Sequence, residues 1–309
     1  MAKTPALRIG SRGSPLALAQ AEMVRKHLAA AWPDLAERHA IAIEVIRTTG
    51  DRITDRPLAE AGGKGLFTKE IEEALIAGRV DLAVHSMKDL PTVIPDGLVV
   101  PCLLPREDPR DALIGKVGRI ADLPRGAVIG TSSLRRKAQL LARRRDLVIR
   151  DFRGNVDTRL RKLEHGEVQA TILALAGLRR LGLEQRAAAV LDAGEMLPAV
   201  AQGAIGIEIR ADDARMRDLL KPLHHAATGL AVAAERGVLE VLDGSCRTPI
   251  AALASGRTFG RLRLDALVAK PDGSKVIRTA REGPEADAAD MGRDAGEELR
   301  RDAGPGFFG

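Results

Sequence analysis

The residues best suited to chemistry fall in separate stretches of the chain. The first is Gly130-Thr131-Ser132-Ser133-Leu134-Arg135-Arg136-Lys137, continued by Arg153, Gly154 and Arg159, and between Thr131 and Lys162 eleven Lys/Arg stand against three Asp. Forked guanidinium groups fit a carboxylate or a phosphate. Thr131, Ser132 and Ser133 are N-cap types placed to open a helix, whose free N–H groups favour the same anion. The second stretch is His85-Ser86-Met87-Lys88-Asp89-Leu90-Pro91. There Asp89 has the character of a general acid/base tuned by burial and by Lys88, with a structural ion pair as the alternative on spacing alone. The third is Gly244-Ser245-Cys246-Arg247-Thr248-Pro249. A cysteine taken alone is more often a packed small hydrophobe, but Arg247 in this loop favours the Cys246 thiolate.

The elements that must position these residues follow an α/β pattern. Leu7–Gly10 reads as a strand, Ser14 as an N-cap and Pro15 as the first residue of a helix, so Arg12 sits at a strand-to-helix junction, where α/β sheets place ligands. Ile41–Ile46 is a second strand. The glycine-bearing 48–63 segment that follows has the composition of a mobile lid, and Lys64 lies among its last glycines without completing a P-loop. Leu66–Ala77 is a helix closed by Gly78, and Val80–Val84 is the strand that delivers Ser86, Lys88 and Asp89. Leu98–Leu104 is an apolar run in which Cys102 reads as a buried thiol, and the charged, Pro-bearing 105–111 segment is a connector.

A second alternation follows, with strands at Ala127–Gly130, Leu147–Phe152 and Val168–Ala174 and helices near 133–145 and 156–165, which implies a parallel sheet. Arg143, Arg144 and Arg145 read as a solvated helix end. Arg180 continues the basic theme, Leu197–Gly203 with Gln202 is a second crossing, and Ala204–Arg210 is a strand able to return to the first sheet. Two crossings between two α/β lobes describe a hinged clamshell. Beyond about Lys221 come a helix at Thr228–Leu242, alternating segments at Arg261–Val268 and Lys275–Arg281 joined by Asp272-Gly273, a final amphipathic helix at Asp287–Arg301, and a frayed tail. The domains expected are 1–103 with 204–221, 104–203, and 222–309.

Composition narrows the partner. A net charge of +6 allows a nucleic acid or a small acidic ligand, but with no Tyr, one Trp and five Phe the chain has few rings on which single-stranded bases could stack. Two cysteines do not make a disulfide framework or a cysteine-based zinc site, no apolar run approaches the ~20 residues of a bilayer span, and no metal site is expected. The N-terminus lacks the apolar segment of a signal peptide, so a cytoplasmic protein is expected. A solute-binding module would share the clamshell without needing Cys246 or Asp89.

The stretches RIGSRGSPLALAQA, GGKGLFTKE, AVHSMKDLP, REDPRDA, GTSSLRRKAQL, RGNVDTRL, LAGLRRLG, PAVAQGAIGIE and GSCRTPI occur in this order over nearly the whole chain. Together they resemble the porphobilinogen deaminase (hydroxymethylbilane synthase) family. The resemblance implies two periplasmic-binding-protein-like α/β domains forming a clamshell with the active site between them, and a small C-terminal α+β domain. It implies a dipyrromethane cofactor held by a thioether to Cys246, Asp89 as the catalytic carboxylate, and Arg12, Ser14, Lys64, Ser86, Lys88, Thr131, Ser132, Ser133, Arg135, Arg136, Arg153, Gly154, Arg159, Arg180 and Gln202 around the acetate and propionate groups. It also implies a monomer whose substrate is porphobilinogen and whose product passes to uroporphyrinogen-III synthase. Ala201 stands where the resemblance leads one to expect glycine, and Ser245 where glycine is common.

The implied chemistry explains the arginine surplus. Porphobilinogen carries an acetate, a propionate and an aminomethyl group; loss of ammonia leaves an electron-poor methylene-pyrrolenine, which the free α-carbon of the preceding ring attacks. A carboxylate on the ring N–H would stabilise the developing positive charge. Four such condensations on a two-ring primer add two carboxylates per ring, so a graded set of cationic clamps is needed.

Overall fold

Alternating apolar residues put Leu7–Ser11 into strand β1, and Ser14 then caps helix α1 (Pro15–Ala31), its side chain accepting from the Ala17 N–H at 3.2 Å with proline in the first turn. The structure, a computed structural model, describes residues 6–52, 65–242, 248–258 and 260–307. The next elements are β2 (Ile41–Val45), α2 (Thr49–Arg52), α3 (Lys69–Ile76), β3 (Leu82–Ser86) and β4 (Leu98–Leu103). The second alternation comprises β5 (Asp111–Gly115), β6 (Val128–Gly130), α4 (Leu134–Arg143), β7 (Val148–Arg150), α5 (Val156–Glu164), β8 (Ala170–Ala174), α6 (Leu175–Arg180) and β9 (Ala189–Val190). The chain then forms β10 (Ile205–Arg210), α7 (Ala214–Leu220), α8 (Ala226–Leu242), the strands β11 (Ile250–Thr258), β12 (Arg261–Ala269) and β13 (Val276–Pro284), and α9 (Ala288–Ala303).

Backbone contacts divide the chain into two units, Met1–Arg106 with Ala204–Gly229 and Glu107–Gly203 with Leu230–Gly309. The first unit holds a sheet in the order β2-β1-β3-β10-β4, with β1 parallel to β2 and β3, and β10 antiparallel to β3 and β4. Leu7, Ile9, Val24, Leu28, Leu82 and Ile207 form its core, each burial worth roughly 1.5–3 kcal/mol. A buried pair, His85 Nε2 to Glu208 Oε2 at 2.9 Å, ties β3 to β10.

The second unit repeats this topology in β7-β6-β8-β5-β9, with β6 parallel to β7 and β8, and β5 antiparallel to β8 and β9. The alternation predicted a parallel sheet; both sheets are mixed. In each, the antiparallel strand, β10 or β5, is the one that follows a chain crossing between units. No βαβ connection precedes it, so nothing imposes the parallel direction.

The same unit carries the antiparallel sheet β11-β12-β13, which the amphipathic α9 covers. The sheet packs Ala251, Leu253, Leu267 and Ala269 against Ala138 of α4 and Leu197. The β12–β13 turn lies so close to α4 that a Cβ on Gly273, at φ +71°, would sit 2.5 Å from the Ala142 amide nitrogen. Only glycine meets both demands.

Strands β5 and β11 are additions to the sequence expectation. The tail differs from it too: Phe307 is buried, with Lys275 Nζ 5.7 Å from its ring centroid, so apolar burial holds the chain there. The arginines at the end of α4 are not simply solvated. Arg144 donates to the carbonyls of Ile120, Ala121 and Leu123 and pairs with Asp146, and Arg143 donates to the Glu195 carbonyl at 2.8 Å.

Candidate active site

In the first unit the relevant side chains gather at the carboxyl ends of the neighbouring parallel strands β1 and β3, where an open α/β sheet presents ligands. Arg12 follows β1. Its Nε lies 3.2 Å from both carboxylate oxygens of Asp51, its Nη2 also contacts that carboxylate, and its guanidinium carbon stands 4.1 Å over the Phe67 ring. Burial opposes ionisation of Asp51, but the Arg12 hydrogen bonds and charge, helped by Thr48, hold the carboxyl below its ordinary range. Ser14 serves as the N-cap of α1. Ser86 ends β3 and accepts from Gln20 Nε2 at 2.8 Å. A single 3-10 turn, Met87–Asp89, buries Met87 and leaves Lys88 half-buried and Asp89 exposed. Lys64 and most of the candidate lid lie outside the described residues.

In the second unit the basic residues lie in the segments after β6, β7 and β8: Arg135 and Arg136 in α4, Arg153 in the loop before α5, Arg159 in α5 and Arg180 at the end of α6. Gly130 ends β6 under Phe152, whose ring a Cβ there would meet at 2.5 Å, so the strand end needs glycine. The three hydroxyls that follow all accept from backbone amides. Thr131 Oγ1 accepts from Ser133 N at 3.2 Å, Ser132 Oγ from Phe152 N at 3.0 Å, and Ser133 Oγ from Arg136 N at 3.4 Å as the N-cap of α4. Arg153 lies 3.6 Å from Asp151, and Arg159 donates from Nε to the Gly154 carbonyl at 2.8 Å.

Arg135 and Arg136 lie deeper, 5% and 6% exposed, on either side of Asp111, which has no exposed surface. Arg135 Nη1 stands 2.8 Å from Asp111 Oδ2, and Arg136 Nη2 stands 2.7 Å from Oδ1. Arg135 Nη1 also donates to the Leu197 carbonyl at 2.7 Å, and Arg136 Nη1 to the Ile172 carbonyl at 2.8 Å. Gln202 Nε2 reaches Asp111 Oδ1 at 2.9 Å and the Pro109 carbonyl at 2.7 Å. Burial raises the cost of the Asp111 charge, but the fields of Arg135 and then Arg136 outweigh it and hold the carboxyl far below its usual range. Arg180 donates from Nη2 to the Gly203 carbonyl at 2.6 Å, and burial pulls its pKa down to about 10, with Glu107 opposing.

The sequence expectation contained these arginines but not Asp111, which sits in the REDPRDA stretch read as a connector. Asp51 and Phe67, partners of Arg12, were also missed; each carries a signal only in relation to an arginine distant in sequence. Cys246 lies outside the described residues, four positions past the end of α8. The other cysteine, Cys102, is fully buried in β4, and burial pushes its thiol up to about 12. Among the described residues no group of three or more His, Cys, Asp or Glu could hold a metal, and no helix is long and apolar enough to cross a membrane.

Comparison with known proteins decides the family. Residues 7–218 match the family model described as porphobilinogen deaminase, dipyromethane cofactor binding domain, and residues 229–301 match the porphobilinogen deaminase C-terminal domain. The chain belongs to the porphobilinogen deaminase family. A chloroplastic porphobilinogen deaminase from Oryza sativa subsp. japonica is 57% identical over 99% of this chain and 87% of its own length. The porphobilinogen deaminase of Paracoccus denitrificans is also 57% identical, over 98% of this chain and 96% of its own. Among solved structures, a TRAP periplasmic solute binding protein from Desulfovibrio salexigens shares 11% identity, with a TM-score of 0.42 and 74% of each chain covered.

The activity is that of a porphobilinogen deaminase, a transferase that makes hydroxymethylbilane, and the cofactor is a dipyrromethane. The second unit fits such a group. The Nε–H groups of Arg135, Arg136 and Arg180 are buried without a hydrogen-bond partner among the described residues. Buried guanidinium donors left unpaired are costly, and a pyrrole acetate or propionate is a ligand that would satisfy them.

Proposed function

We propose that this porphobilinogen deaminase works through Cys246 as the attachment point of the dipyrromethane, Asp89 as the catalytic carboxylate, and two sets of carboxylate-binding side chains. Arg12, Ser14, Lys64, Ser86 and Lys88 form the first set; Thr131, Ser132, Ser133, Arg135, Arg136, Arg153, Gly154, Arg159, Arg180 and Gln202 form the second. The observation that carries the reading is the set of guanidinium N–H groups left without a partner among the described residues, on Arg135 and Arg136 in the first turn of α4 and on Arg180 at the end of α6.

The dipyrromethane, bound through Cys246, supplies the nucleophilic pyrrole carbon on which the chain grows. Asp89, exposed on its turn, accepts a hydrogen bond from the substrate pyrrole N–H, stabilises the positive charge that builds as ammonia leaves, and takes up a proton when the new bond has formed. Arginines bind each ring through its acetate and propionate, so that an incoming ring is oriented before it reacts.

Asp89→Asn keeps the shape of the side chain and removes the charge. The expected result is turnover reduced about 10²–10⁴-fold with the dipyrromethane still attached. Turnover near the wild-type rate would remove Asp89 from this role.

The proposal extends to three domains, 1–103 with 204–221, 104–203 and 222–309. The break between the two family models, after 218 and before 229, supports the last boundary. It also extends to a cytoplasmic monomer that passes hydroxymethylbilane to uroporphyrinogen-III synthase. The support for these points is the family likeness, and a sedimentation measurement showing a stable dimer would remove the monomer.

A further inference from the structure

We propose that Asp111 is the resident counterion of the Arg135–Arg136 clamp, a positioning residue that lets the clamp fold charged and oriented before any primer arrives. The inference rests on the reading of Arg135 and Arg136 as carboxylate-binding groups.

The argument starts from charge. Two consecutive arginines, 5% and 6% exposed, put two like charges into a buried site, and neither could be tolerated there unpaired. Sequence alone gives no partner, since no Asp or Glu lies within seven residues of either. The partner comes from the first residue of β5, which runs antiparallel to β8. Asp111 pairs with Ala174 at the end of β8, the same end of the sheet from which the loop after β6 leads into α4. The placement brings one fully buried carboxylate between both arginines, at 2.8 and 2.7 Å.

The bonding pattern divides the guanidinium edges. Asp111 and the carbonyls of Leu197 and Ile172 are reached through Nη atoms. The Nε–H of each arginine remains without a partner among the described residues. One carboxylate against two arginines leaves a net charge of +1, enough to attract a ring carboxylate and small enough to bury. Gln202, donating to Asp111 at 2.9 Å, fixes the carboxylate from a third side.

The test compares full-length protein with and without its dipyrromethane, using melting temperature and the dipyrromethane-bearing fraction from intact mass. In Asp111→Asn the clamp loses its counterion. The melting temperature of the dipyrromethane-free protein is expected to fall by roughly 10 °C, and that of the loaded protein by much less, because ring carboxylates then supply the missing charge. Asp111→Glu, which keeps the charge, is expected to recover most of the loss. Equal losses in both forms would reduce Asp111 to a general stability residue and overturn the proposal, as would no loss in either.

Should Asp111→Asn fail to fold, the variant that also carries Arg136→Gln restores the net charge of +1. It is expected to fold without dipyrromethane but to load poorly, and its failure to fold would overturn the proposal. Arg136→Gln alone separates the two readings. If it loads dipyrromethane and turns over like wild type, the clamp reading itself fails. If it loses loading while Asp111→Asn behaves like wild type in every readout, only the counterion proposal fails.

Discussion

Removing the Glu235 carboxylate should loosen the joint between α8 and the chain crossing at 199–203. Glu235 is fully buried, and its oxygens accept from the Ala201 N–H at 2.6 Å and the Ala254 N–H at 2.8 Å. It therefore joins helix α8, strand β11 and the segment leading to Gln202. Ala201 has a φ of +57°, a conformation that costs a residue with a Cβ about 1–2 kcal/mol, so the bond from its amide also holds a strained residue in place. In Glu235→Ala two buried N–H groups lose this acceptor at about 1–3 kcal/mol each, giving a destabilisation of about 2–6 kcal/mol. Glu235→Gln keeps one carbonyl oxygen and turns an NH₂ toward the other donor, so about half that loss is expected. The assay is urea unfolding of the purified protein followed by far-UV circular dichroism. A Glu235→Ala variant within about 0.5 kcal/mol of wild type would refute the reasoning, because that is the range of surface substitutions with no buried partner to lose.

Acid should destabilise the fold in a defined window. Asp111 is held far below its ordinary range, and Asp51, Glu107 and Asp108 also lie low. Groups depressed in the folded state bind protons more readily when unfolded, so their stabilisation is complete above pH ~5 and is lost as pH falls through ~4 and below. The fully buried Asp111 carries most of the effect, since the others are partly exposed and screened. A melting temperature unchanged between pH 6 and pH 3 would contradict this. The two cysteines should also be separable by reactivity. With no exposed surface and a thiol near 12, Cys102 should resist alkylation at pH 8 in the native protein and react only after unfolding in guanidinium, as peptide mapping would show.

How much was legible follows from the kind of signal each residue gives. Ser14 and Pro15 announce α1 because a cap and a first-turn proline are local chemistry, and they appear where expected. Strand β5 was hidden because it follows Pro109 and a charged run, and only Ala112, Leu113 and Ile114 mark it as apolar. Strand β11 was hidden because Ile250–Thr258 is rich in Ala, Gly and Ser, which have low strand propensity; its pairing with β12 decides the matter. The same division applies to the site. The basic residues stand out as a cluster in sequence, whereas Asp111 lies 24 and 25 positions from the arginines it pairs with and looks like one more charge in a connector. Glu235, an acid next to Arg236 in a mostly apolar helix, gives no sign that it accepts from a crossing segment.

The central claim is that Cys246 carries the primer on which the chain is built, and intact mass under denaturing conditions tests it most directly. The account predicts a mass above that of the sequence by one covalently held dipyrromethane in the wild-type protein and no excess in Cys246→Ser. A wild-type mass equal to the bare sequence, with no pyrrole colour reaction in acid, would contradict it, and so would an excess that persists in Cys246→Ser.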